Sequence, residues 1–64
     1  MNDRLLTFTE AAELMRVSLR TIRRIVDSGS LAVIRLGERT LRIRSSEIER
    51  YLEENTLRYS GGIG

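Results

Sequence analysis

Between Thr7 and Gly29, in the stretch TFTEAAELMRVSLRTIRRIVDSG, apolar residues recur every three or four positions. That spacing puts them along one side of an α-helix, and the interruption at Arg16-Val17-Ser18 divides the stretch into two short helices joined by a tight turn. In the first, Phe8 to Met15, the inward residues are Ala11, Ala12, Leu14 and Met15, with small Ala12 letting two steeply crossed backbones approach. Thr7 and Glu10 have the spacing of a capping box, and Leu6, just outside, is placed to staple onto Ala11. The second helix, of about ten residues, has Ser18 as its N-cap and Gly29 as its left-handed terminator. Leu19, Ile22, Ile25 and Val26 form its inner face. Arg20, Arg24 and Asp27 point the opposite way, with Thr21 and Arg23 on the flanks. Val17 is expected to plug the core beneath the turn.

Beyond Gly29 the period changes. Ile34 and Leu36 alternate with Arg35, and Leu41 and Ile43 alternate with Thr40, Arg42 and Arg44, which predicts two strands. Gly37-Glu38-Arg39 connects them, with Gly37 free to take positive φ in a hairpin or its bulge. A two-stranded unit does not stand alone in water, so its apolar face must rest on the helices. The result is a wing with Arg39 at its tip and Arg35, Arg42 and Arg44 as flanking cations. From Ser46 to Asn55 the helical period returns, with Ser46 and Glu49 in capping-box spacing and Glu47 favourably placed in the first turn. Ile48, Tyr51 and Leu52 share the face that closes the core; contact with DNA or a partner is the alternative for Tyr51. Met1 to Arg4 is expected to be a loose arm. Thr56 to Gly64 reads as a flexible tail after a domain spanning residues 1–55.

Sixty-four residues make one domain, with a core too small to house a large catalytic cleft. There is no Cys and no His, which removes thiolate and imidazole metal ligands, Cys nucleophiles and His general bases. No cofactor, metal or disulfide is expected, and Tyr51 and Tyr59 have no catalytic set around them, so the chain reads as no enzyme. No apolar run approaches the ~20 residues that cross a bilayer, and the N-terminus lacks a signal-peptide apolar region. The expected setting is the cytoplasm of a bacterial host cell, at the nucleoid.

A net charge of +2 conceals a segregation. From Arg16 to Arg44 there are eight arginines against Asp27 and Glu38, a local charge of +6, and the remainder of the chain carries −4. A polyanion-binding face needs such an arrangement, because neutralising phosphates releases counterions; a solvated charged surface is the plainer alternative. Every basic residue is Arg. The guanidinium offers paired donors to guanine or phosphate and fits a narrow minor groove, although a G/C-rich genome favours arginine codons equally well.

From Leu5 to Leu52 the pattern LTxxEAAELMxVSxxTIRRIVxSGxLxVIRLGxRTLRIRSSEIERYL resembles the small excisionase and MerR-like winged helix-turn-helix family. The implied fold is mainly α with a small β-hairpin (α+β), in the order helix, helix, hairpin wing, helix. One departure stands out: the turn position often occupied by Gly in such domains is Arg16, at a cost of roughly 1 kcal/mol if it requires positive φ.

In helix-turn-helix docking the second helix enters the major groove and presents its early residues to base edges. The resemblance therefore implies double-stranded DNA as partner, with Ser18, Arg20, Thr21, Arg23 and Arg24 at the major groove and its phosphate walls. Arg39 is implied for the adjacent minor groove, with Arg42 beside it. Arg20 and Arg24, farthest from Ile22, are placed for base or phosphate contact, Arg23 for a phosphate clamp, and Asp27 to orient an arginine.

Longer MerR-like proteins follow such a domain with a dimerisation helix, and the residues after Leu52 read as none. Specificity is then expected from cooperative neighbours, DNA shape or a partner protein. The leading expectation is a DNA-bending excisionase, a recombination directionality factor that helps a separate integrase excise a phage or mobile element. A small transcriptional regulator is the first alternative, and a protein-interaction module with an arginine face is one of a different class. Leu57, Arg58 and Tyr59 are candidate contacts for a neighbouring protomer or the integrase, against the alternative of a tail with no role.

Overall fold

A computed structural model of the protein describes residues 3–57. Its elements run β1 (Leu5–Leu6), α1 (Phe8–Met15), α2 (Leu19–Asp27), β2 (Ile34–Arg35), β3 (Leu41–Arg44) and α3 (Ser45–Glu54). Three helices and a small antiparallel sheet in the order β1-β3-β2 make an α+β winged helix-turn-helix. The sheet has a third strand that the periodicity did not disclose. β1 pairs with β3 in the register Leu5 to Arg44 and Leu6 to Ile43, and β2 pairs with β3 as Ile34 to Arg42 and Arg35 to Leu41. β3 is the hub, since α1 and α3 both pack against it. Around it lie Leu6, Ala11, Ala12, Ile22, Leu31, Ile43 and Ile48, all buried.

The α1 start forms as a reciprocal cap. Thr7 Oγ1 accepts the Glu10 N–H at 3.0 Å while Glu10 Oε1 accepts the Thr7 N–H at 2.9 Å. The end of α1 is the strained turn that Arg16 foreshadowed, at φ 60° and ψ 43°. Its N–H donates to the Ala12 and Glu13 carbonyls and the Val17 N–H to Ala12, so the chain reverses within one residue. Two expected core residues are corrected here. Leu14 is 60% exposed, because it stands about 110° from the centre of the stripe formed by Phe8, Ala11, Ala12 and Met15. Val17 is exposed as well, swung outward by the left-handed residue before it.

Ser18 Oγ accepts the Thr21 N–H at 3.1 Å and caps α2. Ile22 is fully buried, Ile25 and Val26 pack at the margin, and Leu19 is exposed, contrary to expectation, because it lies at the first turn where neighbouring elements part. Gly29 ends the helix at φ +85°, where a side chain would be strained. The following connection is pinned to α3. Leu31 is buried, the Ala32 N–H donates to Glu47 Oε2 at 3.0 Å, and Arg50 donates to the Ser30 carbonyl at 2.9 Å. Arg50 also pairs with Glu47, and with Glu54 at 2.6 Å. The Arg50 guanidinium, and after it the Ala32 N–H, hold the Glu47 carboxyl below the usual carboxylate range.

In the wing, the Leu36 N–H donates to the Thr40 carbonyl at 2.7 Å and closes the loop. Gly37 does not take positive φ. The reversal is accomplished in ordinary backbone regions, so the expectation of a glycine-dependent turn is corrected. Leu36 is exposed, since the loop carries it past the helices.

The expected Ser46–Glu49 capping box does not form. β3 runs into α3 without a linker, Arg44 becomes the N-cap residue but its side chain makes no capping hydrogen bond, and Ser46 already lies inside the helix. Its N–H donates to Asp3 Oδ1 at 2.9 Å and its hydroxyl to Asp3 Oδ2 at 2.9 Å, while Ser45 Oγ donates to Asp3 Oδ1 at 3.1 Å. Arg44 stands 3.5 Å away as a counter-ion. The cap is thus supplied from the far end of the chain, and the Ser46 N–H above all keeps the Asp3 carboxyl below its ordinary range. The Arg4 N–H and carbonyl also bond Ser45, so at residues 3 and 4 the arm is fixed rather than loose. At the other end Ile48 is buried and Tyr51 packs against the core, whereas Leu52 is exposed where α3 extends past β3. Of the tail, Thr56 and an exposed Leu57 are described; Arg58 and Tyr59 lie outside the described residues.

Candidate nucleic-acid interface

α2 divides its residues as the helical period requires. Ile22 occupies the core, while Arg20, Arg23, Arg24 and Asp27 are exposed. Ser18 Oγ, besides accepting the Thr21 N–H, donates to Thr21 Oγ1 at 3.0 Å. Ser18 is therefore committed to the cap, and Thr21 is the hydroxyl left with a proton to offer outward.

The arginines fall into three groups. Arg44 and Arg50 are bound in ion pairs with carboxylates of the same chain. Arg35 and Arg42 brace the wing, with Arg35 Nη2 3.4 Å from the Glu38 carbonyl and Arg42 Nη1 2.9 Å from the Leu41 carbonyl. Arg4 on the N-terminal arm, Arg16 in the turn, Arg20, Arg23 and Arg24 on α2 and Arg39 on the wing make no side-chain hydrogen bond or ion pair among the described residues. Asp27, expected to orient an arginine, forms no ion pair among them either. An unpaired, hydrated guanidinium can meet an external anion without first giving up an internal partner.

α2 and the wing are joined by a cleft. About 280 Å³ in volume, it is lined by Thr7, Phe8 and Thr9 at the start of α1, Leu19 and Arg23 of α2, and Arg39, Leu41 and Arg42 of the wing. Arg23, Arg39 and Arg42, separate in sequence, are thus brought together, while Arg20 and Arg24 stand outside the cleft on α2. The periodicity gave no sign that Thr7, Phe8, Thr9, Leu19 and Leu41 line this space. No His/Cys/Asp/Glu group suited to a metal ion occurs among the described residues, and no helix among them is long and apolar enough to cross a membrane.

A family model described as a helix-turn-helix domain matches residues 5–56, from the first residue of β1 to just past the end of α3. No curated protein and no solved structure matches the chain.

Proposed function

The chain belongs to the helix-turn-helix domain family, small DNA-binding domains that include excisionase-like proteins, and from that premise we propose that it is a non-enzymatic, DNA-bending excisionase. In this reading α2 lies in the major groove, with Arg20 and Arg24 at base edges or phosphates and Thr21 and Arg23 on the phosphate wall. Ser18 holds the helix start against the groove. The wing enters the neighbouring minor groove through Arg39, with Arg42 behind it. The observation that carries DNA binding is the set of arginines on α2 and the wing tip that have no side-chain partner among the described residues, within a segment of charge +6.

The architectural role rests on a size argument. One short helix and one wing read few base pairs, and each correct contact is worth only ~1–3 kcal/mol of discrimination. A factor of this kind gains selectivity from adjacent copies, from deformable DNA or from a partner. The reading is that several copies bind at an attachment region, bend it and help a separate integrase choose excision, in the cytoplasm of a bacterial host. Leu57 is exposed and leads into Arg58 and Tyr59; we assign this segment to contacts with a neighbouring protomer or the integrase.

A mobility-shift titration at near-physiological salt, on DNA from around the protein's own gene, tests the proposal. A ladder of cooperative, anomalously slow complexes on attachment-region DNA is expected. One discrete complex confined to the promoter would make the protein a transcriptional regulator instead. Salt-insensitive behaviour on both would leave the arginine face to an acidic protein partner.

A further inference from the structure

We propose that the free edge of β1 docks a second copy of this chain, forming a two-fold dimer in which the β1 strands of the two copies lie side by side. The antiparallel ladder leaves that edge open. The Ser45 N–H donates to the Arg4 carbonyl at 2.8 Å, and the register sets Leu5 against Arg44 and Leu6 against Ile43. Hydrogen-bonded and non-hydrogen-bonded pairs alternate in such a ladder. Arg4 and Leu6 therefore turn their backbone groups toward β3, and Leu5 turns its N–H and carbonyl away from it. Neither group bonds a side chain or another element among the described residues, and the Leu5 side chain is 46% exposed. An open edge of this kind is a template for a further strand.

Beside the edge lies a groove of about 400 Å³, lined by Arg4, Leu6, Glu10, Glu13 and Leu14. None of these residues belongs to α2 or the wing, so the groove is separate from the DNA-binding face. Leu14 stands exposed at its rim. Glu10 serves the α1 cap, whereas the Arg4 and Glu13 side chains make no hydrogen bond or ion pair among the described residues. One patch thus holds an unpaired cation, an unpaired anion and apolar surface, which makes it complementary to itself. An isologous two-fold contact requires that property.

The register brings the opposite charges together. With Leu5 at the axis, its N–H and carbonyl exchange both bonds with the partner's Leu5. Arg4 then lies opposite the partner's Leu6, which lines the partner's groove, and meets the partner's Glu13 there; symmetry repeats the pair. The aliphatic stem of Arg4 covers apolar surface at the partner's Leu14. A strand of two residues and one groove per copy make a contact at the low end of interface sizes, under about 1,200 Å², so the dimer is a reversible one. Antiparallel β1 strands send the two wings to opposite ends of one continuous sheet. One dimer accordingly grips two separate DNA segments; that consequence, unlike the dimer itself, rests on the DNA-binding reading above.

The test is sedimentation velocity of the full chain without DNA over rising concentration, with hydrogen exchange of the Leu5 amide followed by NMR. A reversible monomer–dimer equilibrium is expected, with the Leu5 amide slowing as the dimer fills. Arg4→Glu and Glu13→Arg, both at exposed positions, should each weaken association by about tenfold or more through facing like charges. The double variant Arg4→Glu/Glu13→Arg should restore it, which a mere loss of structure would not do. A chain that stays monomeric throughout, a dimer with an unprotected Leu5 amide, or a dimer indifferent to either charge reversal would overturn the proposal. Capture of a labelled duplex on an immobilised one then tests the arrangement: capture is expected, and a dimer that binds each duplex without joining them would overturn the antiparallel pairing. Dimerisation with no salt-sensitive binding to either duplex would remove the DNA-binding reading and leave the dimer standing.

Discussion

Three backbone positions give predictions of opposite sign from one physical rule. Arg16 occupies the left-handed region at φ 60° and ψ 43°, which costs a residue with a Cβ roughly 1–2 kcal/mol relative to right-handed backbone. Arg16→Gly removes that strain, offset by about 0.4–1 kcal/mol for the greater freedom of glycine in the unfolded chain. The net expectation is a gain of about 0.5–1 kcal/mol, a rise of roughly 2–8 °C in Tm for a domain of this size. Gly29, at φ +85°, has nothing within 4 Å of where a Cβ would stand. Gly29→Ala is therefore free of collision and strained by backbone alone, and should lose about 1 kcal/mol. Gly37 has no positive φ, and a Cβ there would meet only Thr40 Oγ1 at 4.0 Å; Gly37→Ala should be neutral or stabilising by up to about 1 kcal/mol. Thermal and urea melts followed by circular dichroism measure all three. A lower Tm for Arg16→Gly, or equal losses at Gly29 and Gly37, would refute the reasoning.

Other expectations concern the cap, the core and the exposed arginines of α2. Asp3 has a folded pKa below its unfolded value, so its contribution is full above about pH 4 and fades as pH falls through the folded pKa. Asp3→Asn should lower Tm at pH 7, and the gap to the wild type should narrow below pH 4; a gap independent of pH would exclude the cap. Ile22→Ala removes the fully buried side chain of α2 at a cost of ~2–5 kcal/mol, comparable to the whole stability of a chain this short, so its cooperative melt should be lost or lowered steeply. Exposed Leu14→Ala should change stability by less than about 0.5 kcal/mol. Arg20→Ala should weaken the preferred site selectively, by about 1–3 kcal/mol measured against mismatched sites. An equal loss on every sequence would limit Arg20 to phosphate contact.

What was legible in the sequence was mostly local. Thr7 and Glu10 are three residues apart, Ser18 and Thr21 likewise, and Gly29 acts on its own helix end, so pattern alone places α1 and α2. The unfavourable Arg16 was visible through the family resemblance, as an arginine at a turn position often occupied by Gly. What was hidden depends on residues far apart. β1 is two residues long and acquires its meaning only beside β3. Asp3 displaced the Ser46–Glu49 box because the topology brings the chain's start against the start of α3. Leu19, Leu36 and Leu52 were misplaced because a periodicity tells which side of an element is apolar, not how far the neighbouring element extends, whereas Leu14 lies off the apolar stripe of its own helix. On the binding face, the solvent-directed arginines were readable from the helical period. The cleft that joins Arg23 to Arg39 and Arg42 was not, since it arises from the packing of α1, α2 and the wing.

The measurement that bears most directly on the account is the salt dependence of affinity for a duplex carrying the preferred site. Wild type is compared with a variant carrying Arg20→Gln, Arg24→Gln and Arg39→Gln together. If α2 and the wing form one DNA-binding face, the wild-type plot of log affinity against log salt should fall with a slope of about −3 to −4, and the variant's slope should be shallower by about 2 to 3. A slope near zero, or a variant that keeps the wild-type slope with its fold intact, would contradict the assignment of that face to DNA.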